Sequence, residues 1–260
     1  MKQKNVHVYI HFPFCPSRCP FCCFTDFFDE RDLTNQRLIP QFIEVLLKDI
    51  EAYPSDGLKL IDISFGGGTP SLLDAQSLLR IIEKTKEKFD GFANERATVS
   101  IEISPETGSL ERLQSYKDIG INRVSIGAQT FSNELLRFLG RCYSAAEIFK
   151  AYENSRKAGF ENVNIDLLMS FPGQTMEAWQ DDLAETLALG PEHITTTNWH
   201  TKYKGSECFL ERAKKKGKKI ADRTFRIKLF RFSSSLLEKH GYRRYVIYEK
   251  VVSFNLTPFT

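Results

Sequence analysis

Six times in the first 200 residues a short β-type run appears, and the first five each give way to a loop and a helical stretch. The runs are VHVYIHF (6–12), KLIDISF (59–65), ATVSIEIS (97–104), NRVSIGA (122–128), ENVNIDLLM (161–169) and EHITTTNW (192–199). Between them the apolar period changes from two to about 3.6, as in the stretch Thr34–Tyr53, where Leu38, Phe42, Val45, Leu46 and Ile50 share one face. Further helices are expected after Asp74, over Leu110–Ile119, over Asn133–Leu139 and Ala145–Ala158, and over Met176–Leu189, ending at Gly190-Pro191. Strands that alternate with helices pair in parallel through right-handed crossovers. The chain is therefore α/β, either an open doubly wound sheet or a barrel, complete or not. In both, the loops leaving the carboxyl ends of the strands form the functional rim.

From residue 201 the repeat stops. The basic stretch ERAKKKGKK (211–219) precedes a helical segment, Ala221–Lys239, and then a strand-like run, YRRYVIYEKVVSF (242–254). The expected division is a core over residues 1–200 and an extension over 201–260 that completes or flanks it. Hydrophobic residues make up 42% of the 260 and charged residues 27%, enough for a buried core and too many for disorder. No apolar run reaches the roughly 18 residues that cross a bilayer, so a cytoplasmic location is expected. The net charge of +3 asks for no nucleic-acid partner. The basic run has no interleaved aromatics and reads as a solvated helix end.

Four of the six cysteines, Cys15, Cys19, Cys22 and Cys23, fall within nine residues, in CPSRCPFCC at the end of the first strand. Clustered cysteines point to a metal or redox site. Three thiolates spaced C-x3-C-x2-C can hold three irons of a 4Fe–4S cluster and leave the fourth open. A zinc site recruiting His7 or His11, or a thiol–disulfide pair in CPFC, uses the same residues. After the second strand comes FGGGTPS (65–71), where three glycines let the backbone approach a ligand closely. Glu102, Gln129 and Asp166 stand at the ends of the third, fourth and fifth strands and are expected to converge with it. Cys142 and Cys208 read as incidental or packed thiols, Trp179 and Trp199 as structural, and His200 as a polar rim residue.

Together these segments resemble the radical S-adenosylmethionine (SAM) enzymes, which pair C-x3-C-x2-C after the first strand with GGGTP after the second. More narrowly the chain is similar to the oxygen-independent coproporphyrinogen III oxidase-like (HemN/HemW-type) group, which includes the dehydrogenase, a haem chaperone and haem-degrading methyltransferases. The stretches YIHFPFC, SFGGGTPSLL, IEISPET, GINRVSIGAQTF, LGR, NIDLLMSFPGQT and LALGPEHI carry the likeness. It implies a partial parallel (βα)6 barrel with a short C-terminal α+β extension. It also implies that Cys15, Cys19 and Cys22 bind a 4Fe–4S cluster whose open iron is chelated by SAM, and that a reduced flavodoxin or ferredoxin supplies the electron that cleaves SAM to a 5′-deoxyadenosyl radical. Tyr9, Phe21, Gly67, Gly68, Thr69, Glu102, Gln129, Arg141 and Asp166 match SAM-flanking positions. The ligand class implied is a tetrapyrrole or haem.

Two departures bear on the branch. The dehydrogenases place a fourth cysteine two residues after the third, where this chain has Phe24, and they carry an N-terminal arm, whereas Tyr9 stands close to the start here. Coproporphyrinogen oxidation is therefore not expected. The chaperone branch carries HNxxYW where this chain reads FNLTPF (254–259), so haem ligation through that motif is not expected either. The main expectation is a radical SAM enzyme of oxidoreductase or methyltransferase type; the alternative is a haem-trafficking protein that retains the cluster and SAM sites without turnover.

Overall fold

The computed structural model describes residues 4–22, 34–199, 206–248 and 251–255. Cys23, Phe24, His200 and the end of FNLTPF lie outside the described residues. Six strands alternate with helices as the pattern requires: β1 (Lys4–Phe12), α1 (Ile39–Ala52), β2 (Leu58–Gly67), α2 (Ala75–Lys88), β3 (Thr98–Ile103), α3 (Leu110–Asp118), β4 (Arg123–Gln129), α4 (Asn133–Leu139), α5 (Ala145–Lys157), β5 (Val163–Met169), α6 (Met176–Leu189) and β6 (His193–Asn198). Then follow α7 (Ser206–Lys215), α8 (Arg223–Lys239), β7 (Arg243–Tyr248) and β8 (Val251–Asn255).

All strands belong to one sheet in the order β1-β2-β3-β4-β5-β6-β8-β7. The first six pair in parallel, in chain order, as a half-barrel walled on its outer side by helices. The strand-like run at 242–254 is two strands, and β8 joins β6 antiparallel. The basic run differs too: its first half belongs to α7, a helix the sequence reading did not place. Its Lys218 donates to Glu134 at 2.7 Å, so part of that charge is spent within the fold.

Alternation within the strands decides what faces where. Ile10, Phe12, Ile63, Phe65, Val99, Ile101, Val124, Ile126 and Ile165 are buried. They join Ile43 and Ile50 of α1 and Leu78, Ile81 and Ile82 of α2 in one core. Each such side chain contributes about 1.5–3 kcal/mol. The intervening positions, among them His7, Tyr9, Asp62, Ser64, Glu102, Ser125 and Asp166, face the lumen. Helix entries are fixed locally: Asp74 accepts the Ser77 N–H at 2.7 Å at the start of α2, and Glu147 accepts the Ser144 N–H at 2.7 Å at the start of α5. Such caps are worth about 1 kcal/mol each. They set where each loop hands over to its helix, and so where the rim lies. No helix among the described residues is long and apolar enough to cross a membrane.

Candidate functional site

The site begins where β1 and β2 run on past their ends. Gly68 N–H donates to Phe12 O at 2.7 Å and Thr69 N–H to Phe14 O at 2.8 Å, so the parallel ladder extends into the cysteine loop. This brings the glycines against three different walls. A Cβ on Gly66 would lie 2.7 Å from Glu102 Oε1 and 2.8 Å from Tyr9 Cε2. On Gly67, which has φ 109°, it would lie 2.7 Å from the His11 ring. On Gly68 it would lie 2.5 Å from Phe14 O and 3.0 Å from Cys15 Sγ. A side chain at any of the three would fill the cradle. Thr69 Oγ1 donates to Cys15 Sγ at 3.6 Å, and Cys22 N–H donates to Cys19 O at 3.1 Å, which turns the loop.

A second segment, Gly140–Tyr143, braces the loop from the other side. Gly140 ends α4 in the left-handed region at φ 77°, and a Cβ there would sit 2.7 Å from Pro20 Cδ. The Arg141 guanidinium stacks 5.1 Å from the Phe21 ring centroid and 5.5 Å from that of Tyr143. Cys19, Cys22 and Glu106 lie within its electrostatic reach. Ser17 Oγ and Cys142 Sγ are 3.5 Å apart. Cys142 and Cys208 are both exposed, so neither is a packed thiol. Trp199 has a definite role at the site: its indole N–H donates to Phe21 O at 3.3 Å. Its ring packs 5.3 Å from that of Phe209 on α7, which also meets Phe21 and Phe138.

Burial and a cation act in opposite directions on the cysteines. Burial pushes the Cys15 and Cys19 thiols up; Thr69 opposes this at Cys15 and Arg141 at Cys19. The Arg141 Nε is buried with no partner among the described residues, which leaves an N–H donor at the loop for an acceptor group. No three Cys, His, Asp or Glu among the described residues converge on a single metal ion. The zinc alternative needed His7 or His11. His7 instead pairs with Asp62, and His11 lies beside Gly67.

Deeper in the lumen stand the acidic residues. Glu102 accepts the Gly67 N–H at 3.2 Å; surrounding protein and the nearby Asp166 push its carboxyl up to about 8. Asp166 accepts from Ser125 Oγ at 2.5 Å and Asn164 Nδ2 at 2.8 Å. Burial raises its pKa, and the Ser125 bond and Arg123 act against that rise. Tyr9, beside Glu102, is more than half exposed, but the protein around its hydroxyl and that carboxylate push it up to about 12. Gln129 follows an irregularity in the β4–β5 pairing and takes φ 67°, a conformation a non-glycine residue rarely adopts. Cys15, Cys19, Phe21, Thr69, the glycines, Glu102, Tyr9 and Arg141 thus meet at the carboxyl ends of β1–β4, with Asp166 and Gln129 on the adjoining strands. Sequence reasoning missed Glu106, Ser125, Asn164 and Phe209. Ser125 and Asn164 were accessible as polar residues at lumen-facing strand positions; the others show only through contacts distant in sequence.

The Radical SAM superfamily profile matches residues 9–185. The heme chaperone HemW of Lactococcus lactis is 32% identical over 259 residues, covering all of this chain and 64% of the relative. That of Synechocystis is 38% identical over 191 residues, 72% of this chain and 45% of the relative. Among solved structures, coproporphyrinogen III oxidase (HemN) of Escherichia coli, a radical SAM enzyme, superposes with a TM-score of 0.76 and 26% identity. It covers 96% of this chain and 56% of that one. The chain thus spans about half to two thirds of the length of the proteins it matches.

Proposed function

The chain belongs to the radical SAM superfamily, and on that premise we propose that it is a haem-handling protein of the trafficking type, carrying a 4Fe–4S cluster on Cys15, Cys19 and Cys22 and SAM beside it. The observation that carries the cofactor part is the cradle: Gly68 is pressed so close to Phe14 O and Cys15 Sγ that only glycine fits. When bound, the cluster and SAM together supply one-electron reductive cleavage of the sulfonium. The chain's own residues bind and orient. Arg141 offers a guanidinium at the loop, suited to a carboxylate, and Glu102 and Asp166 offer carboxyl oxygens to an ammonium or ribose hydroxyls. Gly67, Gly68 and Thr69 line the approach, Phe21 and Tyr9 wall it, and Gln129 completes the rim. The curated relatives, named as haem chaperones, favour trafficking over turnover. The convergence of Glu102, Tyr9, Thr69 and Arg141 on one rim supports a second reading, a radical enzyme acting on a tetrapyrrole and drawing on a flavodoxin or ferredoxin. Both readings fit a cytoplasmic location.

One experiment separates them. The anaerobically reconstituted protein is given SAM and dithionite, and 5′-deoxyadenosine is quantified with and without haem. Haem binding without haem-stimulated product supports trafficking; product that rises with haem supports the enzyme. Failure of Cys19→Ala to alter the cluster spectrum overturns the cofactor assignment.

A further inference from the structure

Midway along β1, five residues before its cysteine end, lies a pair that no step above uses. His7 and Asp62 are direct register partners across β1 and β2, and His7 Nδ1 lies 2.5 Å from Asp62 Oδ2. An ionised carboxylate only accepts, so a neutral His7 carries its proton on Nδ1 and presents the Nε2 lone pair outward. This is the arrangement by which a carboxylate orients a histidine for a metal. The ring is open to receive one: the His7 side chain is 67% exposed against 26% for Asp62. β1 is also an edge of the sheet.

Donor count decides which metal species fits. A bare ion needs three or four protein ligands, and no three candidate ligands converge among the described residues. A porphyrin iron brings four nitrogens of its own and asks the protein for one imidazole. We propose that His7, oriented by Asp62, is an axial ligand to the iron of a haem held against the lumen side of β1. The proposal rests on the haem-handling reading above. At about 3.3 Å per residue, the five steps from His7 to Phe12 place His7 roughly 16 Å from the strand's cysteine end. Haem iron at His7 and a cluster at the cysteine loop are therefore separate centres. As a mere surface ion pair, His7 and Asp62 would contribute little to stability and nothing to haem binding.

The test titrates ferric haem into the cluster-loaded, unreduced full chain and follows affinity and the Soret signal of imidazole-ligated iron. His7→Ala is expected to weaken binding at least tenfold and abolish that Soret signal, with added imidazole restoring the signal. Asp62→Asn is expected to weaken binding by about tenfold or more, and His240→Ala, at the exposed end of α8, to change nothing. His7→Gln serves if the alanine variant folds poorly, as judged by thermal melting. Wild-type binding with an unchanged His7→Ala titration and signal overturns the assignment of His7 and leaves the haem reading standing. No haem binding by the wild type overturns both.

Discussion

The indole N–H of Trp199, just past the end of β6, hydrogen-bonds the carbonyl of Phe21 inside the cysteine loop at 3.3 Å. Residues 178 positions apart thus fix one backbone turn, and Phe209 of α7 locks the two rings together. Trp199→Phe keeps the packing and removes the donor. It should cost about 0.5–1.5 kcal/mol and accelerate loss of iron to a chelator, measured by bleaching of the cluster absorbance. Chelation at the wild-type rate would show that the loop does not depend on this bond.

Gly68→Ala meets Phe14 O and Cys15 Sγ head-on. Overpacking of this kind costs about 1–3 kcal/mol, here exerted on a cysteine backbone, so iron content after reconstitution should fall several-fold. Gly190→Ala is the reference. Its φ of 65° strains an alanine, but nothing lies within 4 Å of the new Cβ, so it should lower the melting temperature and leave iron content intact.

Glu102 has its carboxyl pushed up to about 8, although the residue is exposed. An incoming ammonium favours the ionised form, so SAM binding at pH 7 should release a measurable fraction of a proton. Calorimetric titrations in buffers of different ionisation enthalpy read this directly. Glu102→Gln should abolish the buffer dependence, whereas a wild-type heat that ignores the buffer would sink the idea.

Asp182 contributes to the pH dependence of the fold, alongside Glu102 and Asp166. Its carboxylate accepts from Thr130 Oγ1 at 2.8 Å and from the Phe131 N–H at 2.7 Å, yet burial pushes its pKa up to about 7. The folded state therefore holds a proton that the unfolded state has lost. Stability is full below the unfolded value near 4 and falls as pH rises toward about 7, by at most about 4 kcal/mol. Asp182→Asn should reduce that slope in urea melts between pH 4 and 8, leaving the part that Glu102 and Asp166 contribute. A slope equal to that of the wild type would assign it to other groups.

The six parallel strands were legible because short β-type runs recur between stretches of helical period. β7 and β8 were not separable: YRRYVIYEKVVSF keeps its β character throughout, and Glu249-Lys250 is not a turn-forming pair. α7 escaped because its buried residues, Phe209 and Ala213, are sparse among lysines. At the site, spacing exposed the cysteines and glycines, since their chemistry depends on local geometry. The partners of Phe21 and Asp166 depend on which strands lie side by side, as Trp199 reaches Phe21 and Ser125 reaches Asp166. No local pattern carries that.

Among the described residues β1 has a single neighbour in the sheet, β2, and it is also the strand that delivers Cys15. Its amides are paired there from one side only, so this strand, like β7 at the other edge, is poised to fray before the interior of the sheet unfolds. Unzipping from Lys4 toward Phe12 would draw Cys15 away from Thr69 and Gly68. Cofactor retention and amide exchange along β1 are thus two readouts of one local opening, and whatever caps that free margin will slow both together.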